Sequence, residues 1–288
     1  MQSFDEIISD IKSLKIQGAT DVALGAILAL NIKSHEVSSK QELLLFEDII
    51  SNTRPTEPGM RNLLHLYLKK VSENLSNSDE VYEEIVQSVK SSAEKIYEFG
   101  ARVIKDGMSI FTVCHSSNVV GSMKKAWEQG KKFQVFNAET RPHFQGRKTA
   151  KSLAEFGIPV THFVDNAAYR FIKKCDIFMF GADSINSMGD VVNKVGTHNY
   201  ANLSKRFDLT TYCCTSSIKF NSKTHLGEEE EIEYRDTLEI WDYENLNLTI
   251  LNPAFDKIEK EVVDGIICEW GVMSPVEFVN KALRYYAE

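Results

Sequence analysis

The run Met108-Ser109-Ile110-Phe111-Thr112-Val113-Cys114-His115-Ser116-Ser117 decides how most of the chain folds. A short apolar stretch stops at a small polar cluster, and residues from Ser117 to Gln129 then carry a helical pattern. An apolar run of this length, bounded by turn signals, reads as a buried strand. The same unit recurs downstream. Strands are expected at Phe133–Asn137, Val160–Val164, Ile177–Phe180 and Leu209–Cys214. Helices are expected between them at Gln145–Phe156, Ala167–Lys174 and Asn193–Phe207. Leu248–Leu251 and Val262–Cys268 read as two more strands, and Ser274 opens a last amphipathic helix through Tyr286. Such alternation predicts a mainly parallel sheet covered by helices on both faces, with right-handed crossovers.

Upstream the pattern is purely helical. Ser3 and Glu6 fit a capping box, followed by Phe4, Ile7, Ile8, Ile11 and Leu14 at helical spacing. The period resumes at Val22, Ala23, Ala26, Ile27 and Leu30, then at Leu43, Leu44 and Ile50, and again from Met60 to Val71. A long fifth helix runs from about Asp79 to Lys105, and Asp106-Gly107 marks the change of pattern. The expected architecture is α/β. A helical N-terminal domain at 1–106 precedes a Rossmann-like doubly wound domain at 107–288 that holds the pocket.

Composition narrows the function classes. Apolar residues make up 43% of the 288 positions, enough for a sizeable core. The 33 basic against 41 acidic residues give a net charge of −8, which argues against nucleic acid or an anionic membrane as partner. No apolar run reaches the roughly 18 residues of a membrane span, and the first residues lack the pattern of a signal peptide. The five cysteines are scattered and odd in number, as for reduced thiols in a cytoplasmic protein. His143, His162 and His198 lack metal-ligand spacing. No Gly-rich dinucleotide or Walker-type phosphate loop occurs, so neither a cofactor nor a metal is expected.

The chemistry-bearing residues cluster at strand ends, where ligands bind in open α/β sheets. Cys114 lies between a strand and a helix N-terminus, which favours the thiolate. Asp183 ends another strand in Phe180-Gly181-Ala182-Asp183. An apolar setting would raise its pKa and keep it protonated. A thiolate base beside a carboxylic acid suits proton shuttling between adjacent carbons. Arg141, Gln145, Asn193 and Lys194 supply cationic and amide donors at the same rim, suited to a phosphorylated sugar. Asp165 is a further candidate for a substrate hydroxyl. Arg147 and Lys148 read as a solvated helix face. Gln17-Gly18-Ala19 and Arg54 sit at helix breaks, where backbone N–H groups favour anions.

Glu139-Thr140-Arg141-Pro142-His143-Phe144-Gln145-Gly146, Gly181-Ala182-Asp183-Ser184-Ile185 and Asn193-Lys194-Val195-Gly196-Thr197 together resemble one superfamily. It contains the regulatory subunits of translation initiation factor 2B, methylthioribose-1-phosphate isomerase and the archaeal-type ribose-1,5-bisphosphate isomerase. The resemblance extends to Ile16–Ala19, Thr53–Thr56 and Asn252–Asp256. Cys114 with Asp183 looks most like the ribose-1,5-bisphosphate isomerase. That likeness implies Cys114 as base at C2 and Asp183 as the acid that opens the ring. It also implies Gln17, Gly18, Ala19, Arg54, Arg141, Gln145, Asn193 and Lys194 as substrate-binding groups. AMP as an activator and a homo-oligomer, dimer or hexamer, are implied in the same way. Gln17 stands where the isomerases have Arg, and Val113 where they have a polar residue. A second expectation is a non-catalytic sensor of a nucleotide or sugar phosphate, like the regulatory subunits.

Overall fold

Ser3 and Glu6 form the capping box that their spacing predicts, each side chain accepting the other's backbone N–H. The computed structural model describes residues 2–13, 15–16, 18–54 and 57–286. The chain forms two units, residues 1–92 with 218–221, and residues 93–217 with 222–288.

The first unit is helical. Its elements are α1 (Phe4–Lys12), α2 (Ala19–Ser34), α3 (Lys40–Ser51), α4 (Pro58–Lys70) and the first part of α5 (Ser78–Val103). Helix α2 buries Val22, Ala23, Ala26, Ile27, Ala29 and Leu30 and sits at the centre, against α1, α3 and α4. Its small residues allow that close approach on several sides. Tyr67 is fully buried, and its hydroxyl donates to Asn31 at 2.8 Å, so the polar tip is satisfied inside an apolar core. Residues 218–221 join this unit because Asn62 Nδ2 donates to the carbonyls of Ile218 and Phe220.

The second unit alternates as expected. Its parallel strands are β1 (Ser109–Thr112), β2 (Gln134–Ala138), β3 (Val160–Phe163), β4 (Ile177–Phe180), β7 (Thr210–Cys214) and β9 (Gly265–Cys268). The connecting helices are α6 (Ser117–Glu128), α7 (Gln145–Glu155), α8 (Ala168–Ile172) and α9 (Thr197–Arg206). Strand β10 (Gly271–Met273) adds an antiparallel edge, and α10 (Pro275–Tyr286) follows. The sheet order is β10-β9-β7-β4-β1-β2-β3, a doubly wound arrangement whose direction reverses between β1 and β4. Period-2 alternation divides the core. Ile110, Val135, Ile177 and Met179 pack with α5, α6 and α7, whereas Phe111, Phe178 and Tyr200 stack on the other face.

Two readings of the sequence need correction. Leu248–Leu251 is not a strand. The segment from Gly227 to Asn252 is mostly irregular, and Leu246, Leu248 and Leu251 are exposed, so the apolar run there never finds a pairing partner. The helix expected from Asn193 instead begins at Thr197. Residues Val191–Lys194 form β6, which pairs antiparallel with β5 (Ser184–Ile185) and β8 (Phe255–Ile258) in a small second sheet. Gly196, at φ 98°, turns the chain into α9.

Candidate functional site

Strand β1 pairs with β4 in parallel register, Thr112 opposite Met179. Continuing that register brings Cys114 level with Gly181, at the switch point where the sheet's winding reverses. The approach is close. A Cβ built on Gly181 would lie 2.7 Å from Ser116 Cβ, so glycine is required there. Asp183 follows two residues later, its backbone N–H bonded to Val192 O at 2.8 Å. Its carboxylate is half-buried and meets no donor or cation among the described residues.

Cys114 itself is half-buried, while the other four cysteines are buried. It adopts a left-handed backbone, φ 60°. Thr140 at 65° and Phe144 at 56° do the same on the loop after β2. Such conformations cost L-residues roughly 1–2 kcal/mol each and are genuine outliers for a β-branched side chain. Strain of this kind gathers where a site needs a fixed geometry. The Cys114 N–H donates to Thr140 Oγ1 at 2.9 Å, and its carbonyl accepts the Thr149 hydroxyl at 2.7 Å. His115 Nδ1 lies 2.9 Å from the same Thr149 oxygen. The Thr149 proton is already given to Cys114 O, so Nδ1–H must be the donor and Nε2 keeps its lone pair. Burial, with Lys148 and Lys124 nearby, pulls the His115 pKa down to about 4, so the ring is neutral at pH 7.

The remaining candidate residues of this unit lie on two segments. On the loop after β2, Gln145 opens α7, and its Oε1 is buried without a hydrogen-bond partner among the described residues. Arg141 is exposed, with Nη2 3.4 Å from Ile240 O. Gly146 admits the fold of this loop, since a Cβ there would collide with Ala138 O. On the second segment, Asn193 and Lys194 end β6. Asn193 Nδ2 donates to Thr197 Oγ1 at 3.0 Å. Lys194 is only 8% exposed, its ammonium 4.7 Å above the Phe255 ring, and it faces no carboxylate among the described residues. A nearly buried cation without a counter-charge is costly and is a natural seat for an anion.

Residues 15–275 match the Initiation factor 2 subunit family. The chain belongs to that family. A ribose 1,5-bisphosphate isomerase of Pyrococcus furiosus is 37% identical over 297 residues, which span 96% of this chain and 91% of that protein. A methylthioribose-1-phosphate isomerase of Acetivibrio thermocellus is 32% identical over 310 residues, 96% of this chain and 89% of that protein. The solved translation initiation factor eIF-2B of Pyrococcus horikoshii superposes with a TM-score of 0.84. It is 24% identical and covers 96% of this chain and 98% of its own, a likeness of fold alone.

The family's remaining expected positions lie in the helical unit. Gln17 falls outside the described residues. Gly18, at φ 91°, precedes α2, and Ala19 is its buried first residue. Arg54 follows α3, and its Nη2 lies 2.9 Å from Glu57 Oε1, with both side chains largely buried. No group of three or more His, Cys, Asp or Glu among the described residues is arranged to hold a metal ion. No helix there is long and apolar enough to cross a membrane.

Sequence reasoning passed over Thr140, Thr149 and Tyr200, and it misread Asp165. The Asp165 carboxylate has a structural task that its sequence position did not announce. It accepts the backbone N–H groups of Thr140 and Arg141 at 2.7 and 2.8 Å. Asp256, inside the family-like stretch Asn252–Asp256, likewise accepts from Gly196 and His198 at the start of α9.

Proposed function

We propose that this protein is a sugar-phosphate isomerase that converts ribose 1,5-bisphosphate to ribulose 1,5-bisphosphate. One observation carries the reading: Cys114 stands in a strained left-handed turn just past the carboxyl end of β1, whose neighbour β4 leads into Gly181-Ala182-Asp183. The similarity to isomerases of phosphorylated ribose supports the substrate class.

The chemistry follows from the two groups. Asp183 gives a proton to the ring oxygen as the bond from C1 to that oxygen breaks. Cys114, as thiolate, removes the proton on C2, and a C1=C2 enol forms. The C2 hydroxyl proton returns to Asp183 as the C2 carbonyl forms. The thiol proton passes to C1, and both groups are restored with no external oxidant. Lys194 and Arg141 hold phosphate oxygens, while Asn193 and Gln145 take hydroxyls. The family resemblance also implies Gln17, Gly18, Ala19 and Arg54 of the helical unit as substrate-binding groups. The protein works as a homo-oligomer, and AMP raises its activity.

Purified protein is incubated with α-ribose 1,5-bisphosphate, with and without AMP, and ribulose 1,5-bisphosphate is quantified. Wild type forms product, while Cys114→Ser and Asp183→Asn lose at least 100-fold in kcat with unchanged thermal midpoints. A wild type that forms no product under either condition ends this reading. It leaves the second one, a non-catalytic sensor of sugar phosphates, which Gln17 and Val113 favour because each lacks the charge or polarity of the isomerases. Equal rates in wild type and variants remove the residue assignment.

A further inference from the structure

Three residues near the thiol hold conformations that their side chains disfavour, and something must hold them there. The hydrogen bonds identify it. Asp165 spreads its two oxygens over consecutive amides, Oδ1 on Thr140 and Oδ2 on Arg141. Charge-assisted bonds of this type are short and strong. They fix the peptides on both sides of Thr140 and so aim its side chain. Thr140 Oγ1 can then donate to Ala138 O at 3.3 Å and accept the Cys114 N–H at 2.9 Å. The carboxylate is itself tethered. The buried Tyr200 hydroxyl lies 3.3 Å from Asp165 Oδ1, and the Tyr200 ring meets Phe111 of β1 edge-on, with centroids 5.3 Å apart. Tyr200 thus rests on the strand that carries Cys114 while it holds the acid that shapes the neighbouring loop.

Protonation is consistent with this arrangement. Burial first, and then the Asp165 and Asp256 carboxylates, push the Tyr200 phenol well above its ordinary value, so it remains a donor. Three donors converge on Asp165, and its carboxylate is committed within the protein.

We propose that Asp165, tethered by Tyr200, is a positioning residue that sets the Cys114 backbone and the Arg141 loop as one piece. Its consequence for turnover rests on the isomerase reading above; its consequence for the thiol does not. Thr140 is the relay between acid and thiol.

Alkylation separates the two. Cys114 is the half-buried cysteine and the other four are buried, so iodoacetamide on the native protein, read by peptide mass spectrometry, reports Cys114. Rates are measured against pH in wild type, Asp165→Asn, Tyr200→Phe, Thr140→Val, Thr140→Ser and the control Tyr169→Phe. Loosening the loop exposes the thiol. Alkylation therefore rises at least fivefold in Asp165→Asn and Thr140→Val and at least twofold in Tyr200→Phe. It stays at the wild-type rate in Thr140→Ser, which keeps the hydroxyl, and in Tyr169→Phe. With ribose 1,5-bisphosphate as substrate, kcat falls at least tenfold in Asp165→Asn even as the thiol grows more reactive. Rates within twofold of wild type in both Asp165→Asn and Thr140→Val overturn the proposal. Should Asp165→Asn fail to fold, Thr140→Val against Thr140→Ser decides alone. An inactive wild type removes the isomerase reading and leaves the alkylation result standing.

Discussion

Gly181 and Ser116 touch through a missing side chain: a Cβ on the glycine would sit 2.7 Å from both Cβ and Oγ of the serine. Ser116 caps α6 and lies two residues beyond Cys114. Gly181→Ala must push that turn aside. Overpacking of this kind costs about 1–3 kcal/mol. The expected result is a lower denaturant midpoint together with a changed Cys114 alkylation rate. A fully wild-type midpoint would mean that the turn yields freely.

His115 is expected to remain neutral from pH 8 to about 5, protonated on Nδ1, because burial holds its pKa near 4. Nitrogen-15 NMR of the imidazole checks both the tautomer and the titration. The stability consequence has a definite sign. Between the unfolded value near 6.5 and the folded value near 4, the unfolded chain binds more protons, so stability falls as pH drops through that window. His115→Gln should flatten that part of the profile.

Glu239 answers acid at a different place. Hydrogen bonds from Arg235, at 3.1 and 3.0 Å from Nε, come first among the causes that hold its carboxyl down to about 2. Asn252 and His143 bond the same group. A depressed carboxylate contributes stability above its unfolded value and loses it as pH falls toward the folded one. The irregular segment around Glu239 should therefore loosen between about pH 4.5 and 2. Cleavage there by an acid-stable protease should accelerate over that range in wild type. In Glu239→Gln the same cleavage should already be fast at the top of it.

Lys194→Met should separate stability from binding. The ammonium is nearly buried over Phe255 with no carboxylate opposite it among the described residues. Removing it relieves a desolvated charge, so the thermal midpoint should hold or rise. A charge-assisted contact of roughly 1.5–3 kcal/mol to a phosphate would be lost, and KM should rise roughly 10- to 150-fold with little change in kcat. A fall in the thermal midpoint with KM unchanged would make Lys194 a structural residue.

The parallel sheet was readable because short apolar-rich runs such as Ile110–Val113 and Ile177–Phe180 stop at polar or glycine residues and alternate with helical patterns. The small second sheet was not. Ser184–Ile185 is only two residues long, and Val191–Lys194 runs straight into the start of α9, so the local pattern suggested helix. Leu248–Leu251 carried the composition of a strand without a neighbour to pair with. Within the site, residue type pointed to Cys114, Asp183 and Lys194. Thr140 was invisible, since no local signal announces a threonine with positive φ. Asp165 was visible but misassigned. Its partners are Thr140 and Arg141 in another loop and Tyr200 on α9, 35 residues away, and only the fold brings them together.

The sheet order has a consequence for assembly during synthesis. Strands β1, β2 and β3 can pair as soon as they exist, but β4, which flanks β1 on its other side, arrives after all of them. A chain that ends before Asp183 has Cys114 and the loop beside it but lacks Asp183. Long-range pairing of this sort is slow relative to local structure. Under the proposed Cys114 and Asp183 chemistry, turnover should therefore appear only once β4 has joined β1.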